Sequence, residues 1–222
     1  MYKSDKKYKC LIFDLDGTLL DSASPIANSV IAAAKINSLP IPDIEKVKEG
    51  IGRSFDSQYI NLFINNYSED QAEYSYSIKN DFRSDFRVIY AQQKLSLFAG
   101  AKELLEQLLI QNYELAIATN GPRSMLNMVL QHLSLREYFA VTGCGDEFIA
   151  KPDPQMLMHI LLEMGHSSSD AIMIGDSLAD IEAAENAAID SILIESHHVK
   201  NITTRCDPTF IVKDLRDIIN II

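Results

Sequence analysis

Two aspartates separated by one leucine, Asp14 and Asp16, follow directly on an apolar run, Cys10 to Phe13, and lead into Gly17-Thr18. A short apolar run that breaks into polar residues and glycine reads as a buried parallel strand leaving its sheet. Ligands of open α/β sheets sit at the carboxyl ends of strands. Alternate positions of an extended strand point the same way, so both carboxylates are expected to face one pocket. Close like charges resist ionising together. A divalent cation removes that conflict, and Mg²⁺ favours carboxylates, water and phosphate oxygens. Gly17 frees the backbone so that amides can approach an anion, and Thr18 adds a hydroxyl. The plain alternative is a buried strand followed by an Asp-Gly turn.

Three further segments end in the same manner. The run Ala116-Ile117-Ala118 closes in Thr119-Asn120-Gly121-Pro122, a hydroxyl and an amide just before a helix start. Both groups can donate to phosphate oxygens, and helix N-termini attract anions; a turn or helix cap explains them equally well. Lys151 lies in Ala150-Lys151-Pro152-Asp153-Pro154, where two prolines stiffen the backbone around it. A compact ammonium suits phosphate as a point charge and would offset the carboxylates. Finally Ile172-Met173-Ile174-Gly175 runs into Asp176, with Asp180 four residues on. Asp176 repeats the strand-to-carboxylate junction of Asp14, whereas Asp180 is also explained as compensation of a helix dipole.

In this order the four segments resemble motifs I to IV of the haloacid dehalogenase (HAD) superfamily: DxDGT with Asp21-Ser22 trailing, Thr-Asn, KPxP and GDxxxD. The resemblance covers residues 9–22 and 97–196. It implies an α/β fold, a doubly wound, Rossmann-like parallel sheet carrying a small all-helical cap inserted after the first strand. Asp14 would be the nucleophile of an aspartyl-phosphate and Asp16 the acid and base. Thr119, Asn120 and Lys151 would hold phosphate oxygens. Asp14, the main-chain carbonyl of Asp16, and Asp176 would bind Mg²⁺, with Asp180 supporting the metal site. The helical insert fits the phosphoglycolate phosphatase and β-phosphoglucomutase branch. Gly52-Arg53-Ser54 resembles the substrate loop of the mutase cap, in which Arg53 would contact substrate; a surface arginine explains it equally well. The expected activity is hydrolysis of a small phosphate monoester, phosphoglycolate first among candidates. A phosphomutase of the β-phosphoglucomutase type and a non-catalytic binding protein on the same fold are the alternatives. A dehalogenase is disfavoured, because a halide leaving group needs no acid such as Asp16. Where relatives commonly place glycine, this chain has Ala187-Ala188-Ile189; a left-handed Ala188 would cost on the order of 1 kcal/mol.

The elements that must position these residues follow from periodicity. Ser24 with Pro25 reads as the N-cap and first position of a helix reaching about Asn37. A short helix is expected from Asp43 to Glu49 and another from Phe55 to Ile64. A longer one opens at Ser68-Glu69, with Tyr74, Ile78, Phe82 and Phe86 as an apolar stripe. About 75 residues therefore separate the first strand from the second, far more than a crossover needs. The expected division is a core of residues 1–21 and 97–222 and a cap of 22–96, lying over the carboxylates as a lid. From residue 97 helices and strands alternate: helix 100–112, strand 113–118, helix 122–133, strand 139–142, then a helix from Asp153-Pro154 to Gly165. Strand 171–174, helix 178–187, strands 191–194 and 209–212, and a last helix from Asp214 complete the pattern. This alternation predicts a parallel sheet covered on both faces.

Composition narrows the partners. Thirty-one acidic residues against 20 basic ones leave a net charge of −11, which argues against nucleic acid and means an anionic substrate needs a placed cation. The substrate expected is a small phosphorylated metabolite. Cys10, Cys144 and Cys206 show no ligand spacing and read as reduced structural thiols. No signal-like leader or membrane span is read, so a cytoplasmic protein is the default expectation. His197-His198 reads as a solvent loop rather than a metal site.

Overall fold

The structure, a computed structural model, describes residues 7–52, 72–195 and 206–222. Six strands form one all-parallel sheet: β1 (Cys10–Phe13), β2 (Glu114–Thr119), β3 (Val141–Cys144), β4 (Ala171–Gly175), β5 (Asp190–Ile194) and β6 (Phe210–Val212). Their order is β3-β2-β1-β4-β5-β6, so the winding reverses between β1 and β4, where open α/β sheets bind ligands.

β1 and β4 are buried along their whole length, as expected of strands covered on both faces. Alternate residues divide between two cores. Leu11, Phe13, Leu115, Ile117, Ile172 and Ile174 belong to one cluster, Cys10, Ile12, Ala116, Ala118 and Met173 to the other. The first face is covered by α4 (Ala101–Ile110) and α5 (Arg123–His132), the second by α6 (Gln155–Met164) and α7 (Leu178–Asn186).

Between β1 and β2 lie α1 (Ala23–Ile36), α2 (Ile44–Lys48) and α3 (Ala72–Tyr90). The chain leaves for these helices and returns through one paired neck: Leu20 bridges Leu97, Asp21 N–H donates to Ser96 O at 2.9 Å, and Phe98 N–H donates to Leu19 O at 2.9 Å. α1 packs on α3, and Phe82, Phe86 and Tyr90 are buried, with the last two rings stacked at 5.7 Å. The helix expected over 55–64 and the start of the long helix at 68–71 lie outside the described residues.

Two local expectations are corrected. α1 begins at Ala23, not after a Ser24 cap, so Pro25 occupies its third position. The first four N–H groups of a helix have no intrahelical acceptor, so proline is tolerated there without losing a bond. The last element, Leu215–Asn220, is a 3₁₀-helix. Its buried residues Leu215 and Ile218 are three apart, a spacing that aligns on one side of a three-residue turn. Among the described residues no helix is long and apolar enough to cross a membrane.

Candidate active site

Asp14 is the first residue beyond β1, and its N–H donates to Ile174 O of β4 at 2.8 Å. The continuing register sets it level with Ala118 and Gly175. The chain then turns sharply: Leu15 O accepts from the N–H groups of both Leu19 and Leu20, and Gly17 N–H donates to Leu20 O. Gly17 has φ +92°, and a Cβ on it would stand 2.5 Å from Asp176 Oδ2. The turn therefore needs glycine for its conformation and for its contact. It also brings the Thr18 hydroxyl to Asp176 Oδ1 at 3.1 Å.

Lys151 is the hub of the site, its side chain wholly buried. Its ammonium donates to Asp14 Oδ1 at 2.7 Å, Asp180 Oδ1 at 2.6 Å and Ala118 O at 2.6 Å, three acceptors for three protons. Burial works against the charge, but Asp14 and Asp180 outweigh it and raise the lysine above its usual pKa. Asp180, also fully buried, has its other oxygen occupied by Ser177: Oδ2 accepts from Ser177 N at 3.0 Å and Ser177 Oγ at 2.6 Å. This is a capping box that starts α7. A Cβ on Gly175 would lie 2.4 Å from that carboxylate.

Asn120 is committed on both sides of its amide. Oδ1 accepts from Lys151 N at 2.7 Å, and Nδ2 donates to Lys151 O at 3.0 Å and to Gly52 O at 2.8 Å. The side chain thus grips the lysine backbone and ties it to Gly52 of the helical insert. Thr119 Oγ1 accepts from Gly121 N at 3.0 Å.

The structure brings Asp14, Asp16, Thr119 and Asn120 to the wall of one recess of about 40 Å³, roofed by Ile26, Ile51 and Phe86. Asp176 and Asp180 stand beside it, with one oxygen each of Asp14, Asp176 and Asp180 within 4.8 Å of one another. Burial pushes the Asp14 carboxyl well above its ordinary pKa; Lys151 opposes this, while Asp180 and Asp176 add to it. Burial likewise raises Asp16.

Three buried carboxylates face one ammonium, and Asp14 Oδ2 is buried without a hydrogen-bond partner among the described residues. An all-oxygen set with surplus negative charge suits a hard divalent cation. Asp14 and Asp176 fit that role. Both oxygens of Asp180 are engaged by Lys151 and Ser177, so it braces the cluster from behind. Arg53 and His197-His198 lie outside the described residues.

Sequence reasoning missed Ser177, although Ser177-x-x-Asp180 carries the capping-box spacing that could have revealed it. It also missed Gly52 O and the arginines of α3, for which only the folded contacts speak.

A switch-point site of paired carboxylates, a buried lysine and a helix start defines an α/β enzyme built to handle an anionic group. The family model described as haloacid dehalogenase-like hydrolase matches residues 11–194, and the chain belongs to that family. It is 33% identical to a phosphoglycolate phosphatase of Pectobacterium atrosepticum, over 82% of this chain and 78% of the relative. Identity to a phosphoglycolate phosphatase of Vibrio parahaemolyticus is 28%, over 96% of each. A crystal structure of a phosphoglycolate phosphatase predicted in Haemophilus somnus superposes with TM-score 0.85 at 26% identity, over 98% of this chain and 99% of the other.

Proposed function

We propose that this hydrolase is a Mg²⁺-dependent phosphatase that cleaves a small phosphate monoester through an aspartyl-phosphate on Asp14. One observation carries the reading: Lys151 takes one oxygen of Asp14 and leaves Oδ2 partnerless beside a recess that Asp16 also lines.

Asp14 Oδ2 attacks phosphorus, and the bond to the leaving oxygen breaks as Asp16 delivers a proton to that oxygen. Burial raises the Asp16 carboxyl above its ordinary pKa, the direction that favours a proton donor. Asp16, now a carboxylate, takes a proton from water as the water attacks phosphorus. The Asp14–phosphorus bond breaks, and phosphate and the free carboxylate result. Asp14, Asp176 and the main-chain carbonyl of Asp16 would hold Mg²⁺, which offsets repulsion between nucleophile and phosphate. The Thr119 hydroxyl and backbone amides of the 15–16 turn and of Asn120 steady the equatorial oxygens, where transition-state charge collects. The Lys151 ammonium, its three protons held by Asp14, Asp180 and Ala118 O, contributes its positive charge to them. The Asn120 side chain serves instead to place Lys151, since its own hydrogen-bonding atoms are taken.

We assign residues 1–21 and 97–222 to the catalytic core and 22–96 to the cap, with the paired neck at Leu20 and Leu97 as their junction. The names of the relatives favour phosphoglycolate as substrate, and Arg53, which follows Gly52, is assigned to substrate contact.

Phosphate release from a panel of phosphate esters, with Mg²⁺ and with EDTA, tests the reading. Metal-dependent release that disappears in Asp14→Asn is expected. Release indifferent to EDTA, or retained by Asp14→Asn, refutes it. Sugar-phosphate interconversion without release would make the protein a mutase.

A further inference from the structure

The recess at Asp14 is small, and it shares Phe86, Asn120, Pro122 and Met125 with a second, open chamber of about 780 Å³. An inner space that admits little beyond a phosphoryl group leaves the rest of the ester to the outer one. One wall of that outer chamber is α3, which lines it with Asn80, Arg83 and Arg87. These three stand at i, i+3 and i+7, on one side of a helix. The neighbouring side carries Phe82, Phe86 and Tyr90, all buried, which anchor the helix and so hold the arginines in place. Arg83 also donates to Asn80 Oδ1 at 3.2 Å, a contact that orients its guanidinium.

The charge surroundings make these arginines informative. The protein carries a net charge of −11. Lys151 spends its ammonium on Asp14, Asp180 and Ala118 O. Arg123, nearest in sequence to the chamber wall at Pro122, is committed to Thr142 and Glu147. Of the described residues lining the chamber, Arg83 and Arg87 are the cationic ones, and Asp146, which accepts from Arg123 N at 2.9 Å, is the acidic one. Guanidinium groups bind carboxylate and phosphate through paired, planar hydrogen bonds.

We infer that Arg83 and Arg87 form a specificity site for a second anionic group on the substrate, a carboxylate or a second phosphate carried by the leaving part of the ester. The inference rests on the phosphatase reading above and names the substrate class for that site. The chamber has the size of an ordinary small-molecule pocket, so a short phosphorylated acid and a sugar bisphosphate both fit the description.

Matched pairs of substrates test it. 2-Phosphoglycolate is compared with 2-hydroxyethyl phosphate, its counterpart without the carboxylate, and fructose 1,6-bisphosphate with fructose 1-phosphate. The first pair reports a carboxylate, the second a phosphate. For the native protein, kcat/KM is expected to favour the member with a second anionic group in at least one pair. Arg83→Gln and Arg87→Gln are each expected to lower that preference about tenfold, chiefly through KM, the scale of one partly exposed charge-assisted hydrogen bond. Arg87→Lys is expected to recover part of it. Equal losses on both members of a pair, or an unchanged preference in both variants, overturn the inference while leaving the phosphatase intact. So does native protein that hydrolyses the members without a second anionic group as well as those that carry one. Native protein that hydrolyses no ester overturns the phosphatase reading, and this inference with it. Near-UV circular dichroism of each variant checks that α3 remains packed.

Discussion

Among the described residues five helices end in the same way, and one of these five uses glycine. Ser38, Asn112, Ser134, Gly165 and Ala188 all have positive φ, between 53° and 72°. Each donates its N–H to the carbonyl three residues back, and the next residue donates to the carbonyl five before itself: Leu39 to Ala34, Tyr113 to Leu108, Leu135 to Leu130, His166 to Leu161 and Ile189 to Ala184. This is the Schellman closure, which normally selects glycine because a side chain crowds the left-handed backbone. Holding an L-residue there costs roughly 1–2 kcal/mol; glycine relieves this but forfeits about 0.4–1 kcal/mol through its freer unfolded chain. The net gain from glycine is therefore about 0.5–1 kcal/mol at each of Ser38, Ser134 and Ala188, where the side chains are exposed and little packing is lost. For a domain of this size that is about 1–4 °C in Tm per site, and the triple variant should gain about 2 kcal/mol. Asn112→Gly should gain less, since asparagine tolerates this conformation. Gly165 provides the reverse test: a Cβ there meets nothing within 4 Å, so Gly165→Ala should lose about 1 kcal/mol by backbone strain alone. Urea unfolding would be followed for each variant, with a shift in midpoint at constant slope as the signature. A destabilised Ala188→Gly together with a neutral Gly165→Ala would show that these helix ends carry no left-handed strain, and the reasoning would fail.

Asn120→Ala removes three hydrogen bonds and leaves the buried N–H and C=O of Lys151 unpaired. A loss of about 2–3 kcal/mol in urea unfolding is expected, together with a fall in kcat that Asn120→Asp, which keeps the acceptor for Lys151 N–H, should partly restore. Asp190 accepts from Lys7 Nζ at 2.9 Å and Tyr8 Oη at 2.7 Å, and Lys7, then Tyr8, hold its carboxyl below the usual carboxylate pKa. A depressed carboxyl stabilises the fold above its unfolded pKa and loses that contribution as pH falls through its folded value. Because both ionic partners are substantially exposed, Asp190→Asn should cost no more than about 1 kcal/mol at pH 7. The gap to the native protein should narrow as pH falls below the ordinary carboxylate pKa of about 4 and close beneath it, a profile that unfolding curves at several pH values would reveal.

What could be read from the chain alone was what is local. β1 and β4 are apolar runs, as parallel strands buried on both faces are, and each runs into a carboxylate at its end. Strand-helix alternation specified a doubly wound sheet, and the aromatic stripe of α3 specified its buried side. Ala188 was legible as a left-handed residue because helix termination is decided within about six residues. Only the tertiary structure decided the rest. Pro25 sits at the third rather than the first position of α1, because all early positions of a helix tolerate it. Lys151 reaches Asp14 across 137 residues of chain, and nothing in either segment states that the lysine ammonium donates to that carboxylate. Asn120 reads as a phosphate ligand by type, yet the fold spends its side chain on Lys151 and Gly52. Nothing in the sequence singles out Arg83 and Arg87; they line a chamber only once α3 is laid against residues 120–125. A residue's type and neighbours limit which contacts it can make; packing of elements distant in sequence determines which it does make, because burial leaves each polar group only the partners that the fold brings within about 3 Å.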